Sequence, residues 1–368
     1  MFDIPPVPPP VVVVGRDAPD RSFIVEMQPG VVRCGGELVR PERLERVFPT
    51  EQQTFDGSPP RLRPVALDFE IDRSGRPMSI KRARDGALPG YLPGGAPDLE
   101  PALARSAFPK AAKVNCSLSF TPEVTPLDAA TDDQLVRLTL FRPQPGAPAK
   151  RIAERLAPKG STCLNDGPQP RVLVYPELEP IARRLESVEY TSLLYDIDAE
   201  GRPGNLRPLA GSGHAGLDAE VRRAVSESRF RPEAKTGCLV PFFVQPREEL
   251  KAPPPIPLSA LRPAGVAACK GVLREIPEIS FPQPFQRRGI EGWAVVRYSV
   301  APWGELGEFE VVAAQPASAF GDSALSLIRR AKANKGEPRS GCLQRVAFEL
   351  PDDGQEPGVQ VRSGGEDE

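Results

Sequence analysis

The sequence predicts an α+β chain of three tandem small modules, each an antiparallel β-sheet packed with one main α-helix in the order strand, strand, helix, strand. Three observations carry this reading. A strand-like run led by a cysteine and stopped by a proline occurs three times: VNCSLSFTP at 114–122, TGCLVPFFVQP at 236–246 and RSGCLQRVAFELP at 339–351. Upstream of each, alternating apolar residues lead into a turn glycine. Between glycine and cysteine the apolar period changes to that of a helix.

The first strand of each module reads Leu67, Phe69, Ile71, then Leu193, Tyr195, Ile197, then Val296, Tyr298, Val300. Alternation of this kind marks a strand with one buried face. The strands run into IDRSG, IDAEG and VAPWG, closed by Gly75, Gly201 and Gly304. A glycine there supplies the positive φ of a short hairpin loop. The helical stripe is clearest in the third copy, at Phe320, Ala324, Leu327, Ile328 and Ala331. Leu217, Val221, Ala224 and Val225 repeat it in the second copy, and Leu99, Leu103 and Ala107 in the first. The closing strand of each copy ends at Pro122, Pro246 or Pro351, because proline lacks the N–H a continuing sheet would use.

These landmarks divide the chain. An extended Pro-rich segment spans 1–33, and modules span 34–124, 162–247 and 269–351. Linkers fill 125–161 and 248–268, and an acidic, unstructured tail fills 352–368. The second linker, with KAPPPIPLSALRPAG, reads as a semi-rigid spacer. The run Leu135–Phe141 in the first linker reads as a strand and has no place in the repeat.

The chain has 368 residues, 46 of them proline, against a usual frequency of about 5%. Elements are therefore short and connectors stiff. A net charge of −2 gives no basic surplus for nucleic acid. No apolar run approaches the roughly 20 residues of a membrane helix.

Six cysteines allow 15 pairings. Repeat symmetry selects Cys34–Cys116, Cys163–Cys238 and Cys269–Cys342. Loops of this length contribute about 4–5 kcal/mol in the chain-entropy treatment. Such bridges imply an oxidising compartment, periplasmic or secreted. The N-terminal MFDIPPVPPPVVVVGR lacks a charged leader and a long apolar core. The expectation is therefore that DNA upstream of Met1 encodes a signal peptide or anchor. The PPVVVVGR stretch itself reads as a disordered Pro-rich tail, with an extended segment that pairs with a sheet edge as the alternative.

The third copy resembles the C-terminal domain of the TonB family of Gram-negative energy transducers. The marks are Phe281-Pro282, Gly289-Ile290-Glu291-Gly292 before the first strand, the turn Gly304, Gln315-Pro316 followed by Phe320, and the helix with Ala324, Leu325, Ile328 and Arg329. In the second copy Arg229-Phe230-Arg231-Pro232 is similar to the family's segment after the helix. The resemblance implies a non-catalytic envelope protein that binds extended peptides, of the kind called a TonB box, by strand addition at a sheet edge. It places that edge at Leu343, Gln344, Arg345, Val346, Ala347 and Phe348. Partners would be envelope proteins, TonB-dependent receptors among them. Pro241 lies inside the matching strand of the second copy and weakens its edge.

An anchor-less fragment of an energy transducer is the first alternative. A hydrolase built on His214, the single histidine, is the second. GSGHAG around it matches a dinucleotide-loop pattern, but the antiparallel plan lacks the required βαβ context. No cofactor or metal site is expected, since no CxxC occurs.

Overall fold

The turn glycines show how the chain folds. In a computed structural model, residues 22–54, 57–83, 98–141, 147–164, 166–262, 264, 269, 271–278, 281–350 and 358–363 are described. The PPVVVVGR segment lies outside them.

The first region contains β1 (Ser22–Pro29), β2 (Val32–Cys34), β3 (Glu37–Val39), β4 (Thr50–Gln53), β5 (Val65–Ile71), β6 (Pro77–Arg82), α1 (Leu99–Ala104) and β7 (Lys113–Pro126). Strand β5 lies between β6 and β7. Past its pairing with β5, β7 continues along β1, with Pro29 opposite Phe120 and Phe23 opposite Pro126. Strand β1 was expected to belong to an extended N-terminal segment. It is instead a sheet strand buried on both faces, because Ile24 and Val25 meet two different cores. Strand β2 also pairs with β7 and places Cys34 opposite Cys116, to which it is disulfide-bonded.

Two helices follow, α2 (Asp132–Phe141) and α3 (Ala147–Leu156). The expected strand at Leu135–Phe141 is therefore a helix. Its start is fixed by a capping box: the Thr131 N–H donates to Gln134 Oε1 (3.0 Å), and the Gln134 N–H donates to Thr131 Oγ1 (3.3 Å). Leu135 and Leu138 then fall one turn apart and are both buried, as is Val136.

The second region holds β8 (Pro170–Val172), α4 (Glu179–Ala182), β9 (Glu189–Ile197), β10 (Pro203–Gly211), α5 (Ala215–Glu227), β11 (Arg229–Phe230) and β12 (Lys235–Val244). Its main sheet has the order β10-β9-β12. A short helix α6 (Leu258–Leu261) leads to the third region. That region has β13 (Leu273–Glu275), α7 (Gln283–Arg287), β14 (Gly292–Val300), β15 (Leu306–Gln315), α8 (Ser318–Arg330), β16 (Lys332–Ala333), β17 (Arg339–Glu349) and β18 (Gly358–Ser363). Its sheet has the order β15-β14-β17-β18. Disulfides join Cys163 to Cys238 and Cys269 to Cys342.

Local geometry recurs at matching places. The carbonyls of Gly75, Gly201 and Gly304 accept from the N–H of Phe108, Phe230 and Ala333, at 3.0, 2.9 and 3.1 Å. Each glycine has φ between +81° and +91°. A Cβ would come within 2.1, 2.2 and 2.6 Å of those partners' carbonyl oxygens. Four residues further on, Ser79, Asn205 and Glu308 all have positive φ. So do Asn115, Gly237 and Gly341, each immediately before a cysteine. Those cysteines, Cys116, Cys238 and Cys342, lie opposite Phe69, Tyr195 and Tyr298.

The cores are not distributed one per region. Leu67, Phe69, Ile80 and Leu103 of the first region share a core with Phe320, Leu327, Val346 and Phe348 of the third. Backbone bonds cross that junction, Ile80 N–H donating to the Pro316 carbonyl at 2.9 Å. The second region has its own core around Leu193, Leu217, Val221 and Cys238. Helices α2 and α3 fill the space between β1 and the outer face of the second sheet, where Tyr190 packs.

Candidate functional site

The six edge residues fall on β17, with β14 on one side: Leu343 opposite Arg297, Val346 opposite Ala294 and Phe348 opposite Gly292. On its other side β17 carries β18. Their register is antiparallel and unbroken, from Gln344 opposite Ser363 to Glu349 opposite Gly358. The tail expected to be unstructured thus supplies a strand to the edge expected to be open. The reason is legible in GVQVRS, which has the valine alternation of a strand, with Pro357 just before it.

The two faces of β17 are held differently. Val346 and Phe348 enter the core, where Phe348 sits 5.3 Å from Phe320 and 5.7 Å from Phe281, ring centre to ring centre. Gly292 has no alternative there: a Cβ would meet Gln315 O and the Phe320 ring, each at 2.6 Å. Leu343 faces outward and packs with Trp293, Val295 and Leu258. The segment 252–261, expected to be a spacer, therefore lies on this sheet. A sheet with apolar residues on both faces requires a cover on each.

Glu291 of the Gly-Ile-Glu-Gly stretch closes one end of the site. Its carboxylate accepts from the N–H of Leu350 (3.0 Å) and of Ala252 (3.2 Å), and from Lys251 Nζ (3.0 Å). Hydrogen bonds to Glu249 and Glu291 raise the Lys251 pKa. One carboxylate so fixes both the end of β17 and the start of the proline run.

Sequence reasoning missed a second cluster. The Arg288 side chain is fully buried between regions and donates to both Asp98 oxygens at 2.6 Å and to the Arg46 carbonyl at 2.7 Å. It also stacks over Phe48, 4.1 Å from the ring centre. Burial opposes its charge, but Asp98 and Glu45 outweigh that and raise its pKa. Asp98 and Glu45 are far from Arg288 in sequence, so no local pattern announces the contact.

His214 is the N-cap of α5, its Nδ1 accepting from the Leu217 N–H at 3.0 Å. It satisfies one of the free N–H groups of the first helical turn. Among the described residues no group of three or more His, Cys, Asp or Glu could hold a metal, and no helix is long and apolar enough to cross a membrane.

On the second sheet, Pro241 lies in β12 opposite Ser192. Among the described residues no strand pairs with the outer side of β12.

Comparison with known proteins finds one family match, within the third region, and a distant relative. The chain is 27% identical over 122 residues to "Protein TonB" of Klebsiella pneumoniae, covering 33% of this chain and 49% of that protein. It thus spans about half the length of that relative. Residues 277–351 match the family described as Gram-negative bacterial TonB protein C-terminal, a stretch that holds α7, β14, β15, α8, β16 and β17 and ends before β18.

Proposed function

We propose that the chain is a non-catalytic envelope protein of three tandem TonB-C-like units, located in the periplasm or secreted, that binds extended peptides by strand addition. The working edge is Leu343, Gln344, Arg345, Val346, Ala347 and Phe348. The observation that supports this is β18: an unbroken antiparallel strand is already added there, so the outward main-chain groups of β17 pair in register with an extended segment. Resident β18 then acts as an intramolecular competitor that an incoming peptide displaces. Support for three units comes from the recurring turn-glycine bond, the positive φ four residues later, and the aromatic opposite each second cysteine.

The test is an NMR titration of the full chain with a TonB-box-type peptide from an outer-membrane receptor. Perturbation of 343–349 with release of 358–363 is the expected result. Shifts confined to the second region would contradict it.

A second reading, a fragment of an energy transducer, is favoured by the likeness to Protein TonB. It predicts that fusing a membrane anchor to the chain restores receptor-dependent uptake in a strain lacking its own transducer. Failure of an expressed, folded fusion would exclude it.

A further inference from the structure

The outer face of the third sheet carries a second ligand-like arrangement, independent of the β17 edge. Its occupant is APPPIPL at 252–258. Prolines fix their own φ near −65° and push the preceding residue toward extended ψ. Ala252, Pro253, Pro254 and Ile256 each precede a proline, so the stretch is set to polyproline II by its covalent structure. Pro257 has φ −56° and ψ 134°, close to that helix.

The sheet reads the main chain of this helix. Trp293 Nε1 donates to the Pro253 carbonyl at 2.8 Å, and Arg345 Nη2 donates to the Ile256 carbonyl at 2.7 Å. These carbonyls are three residues apart, one turn of a polyproline II helix, so they project from the same side. Leu258 is the apolar anchor, 3% exposed against Trp293, Val295 and Leu343. Pro254, Pro255, Ile256 and Pro257 remain exposed. The grip thus consists of an indole donor, a guanidinium donor one turn on, and one leucine pocket. Beside the prolines a cavity of about 470 Å³ stays open on the same face, bordered by Glu291, Trp293, Arg345 and Ala347.

We propose that this face is a receptor for proline-rich segments in the polyproline II conformation, supplied by a separate protein chain, and that 252–258 is its resident intramolecular stand-in. A cover for apolar surface alone would not require two main-chain carbonyls read at helical spacing. An incoming segment would present a proline carbonyl, a second carbonyl three residues later, and a leucine two residues beyond that. The tethered segment competes at an effective concentration in the millimolar range, so the face is latent until that segment is loosened.

The test uses the full chain carrying Leu258→Ala, which empties the anchor pocket, and a labelled synthetic peptide LKAPPPIPLSAL followed by fluorescence anisotropy. The expected result is binding at least about tenfold tighter than to the unaltered chain. Adding Trp293→Phe, which removes only the donor and keeps an aromatic ring, should weaken it by about tenfold. A peptide with every proline replaced by alanine should also lose about tenfold. Equal binding of the alanine peptide, or no binding by the folded variant up to about 1 mM, overturns the proposal. Should Leu258→Ala fail to fold, the unaltered chain is titrated with millimolar peptide while the Trp293 indole N–H resonance is followed. Its failure to shift is equally contrary. Neither outcome depends on strand addition at β17.

Discussion

The second and third sheets share a strand order, hairpin partner outside, first hairpin strand in the centre, closing strand on the far side. They differ in what happens beyond the closing strand. In the third, β18 lies along β17 for six residue pairs. In the second, no described strand lies beyond β12. Three residues after its cysteine, β12 has Pro241 where β17 has Arg345. The first region follows the third, since β1 and β2 occupy the far side of β7. Among the described residues the closing strands β7 and β17 are each flanked on the far side by strands of the same chain, and the closing strand without such a neighbour, β12, is interrupted by a proline. This is the management that exposed strand edges require, since an unblocked edge recruits other strands indiscriminately. Under the proposed function, displacement of a resident strand is the condition for binding.

The comparison can be broken first at the junction that ties the third region to the first. Arg288→Met leaves Asp98 buried without the guanidinium that it binds through both oxygens, while Glu45 keeps Arg43, and should cost about 3–5 kcal/mol. Urea unfolding measures the loss. Hydrogen exchange should place it in β5, β14 and α8 while α5 and β9 stay protected, because the second core is separate. Uniform loss across all regions would mean that the cores do not act separately.

Next in size is the second region's own disulfide. Replacing Cys163 and Cys238 by serine should cost about 2–5 kcal/mol and localise to β9, α5 and β12. Removing Cys269–Cys342 should instead loosen the third region. The paired variants show whether each bridge staples only its own sheet.

A smaller effect sharpens the edge argument. Pro241→Val restores a main-chain donor to β12 and should increase binding of an extended peptide to the second region several-fold, on the order of one hydrogen bond of about 1 kcal/mol. Isothermal titration reads it, and an unchanged affinity would show that the proline is not what disables that edge.

The smallest effect is in acid. Hydrogen bonds from Arg223 and the Glu177 N–H hold the Glu220 carboxyl at about 2. A folded pKa below the unfolded value gives stability that is present above the ordinary glutamate range of about 4.3 and fades as pH falls toward 2. Glu220 lies near the surface, so the contribution is slight. Glu220→Gln should flatten only this part of the second region's pH–stability curve.

What was legible in the sequence was local. Turn glycines, the stripes of α5 and α8, and the alternation in β5, β9 and β14 are short-range signals. The cysteine pairing followed from comparing copies, and the structure has the same pairs. The rest depended on partners distant in sequence. SFIVEM in β1 buries both faces, so it lacks the alternation that marks a half-buried strand. Helix α2 is hard to read because Leu135, Leu138 and Leu140 mix periods, and the Thr131–Gln134 cap decides the matter. At α1 the expected stripe overran: the helix ends at Ala104, and Ala107 bridges to Arg43. At the candidate site, the edge residues could be placed on a closing strand, but their neighbours could not. GVQVRS is acid-flanked and short, and the proline run has the composition of a spacer although Trp293 and Arg345, distant in sequence, hold its carbonyls.

The central claim is that β17 is a strand-accepting edge held by a displaceable strand. Hydrogen exchange of the chain ending at Pro351, with and without a receptor-derived extended peptide, tests it most directly. Truncation should speed exchange at 344–349, and peptide should restore protection there, with an affinity at least about tenfold above that of the full chain. Unchanged exchange after truncation, or peptide protection that appears only outside β17, would contradict it.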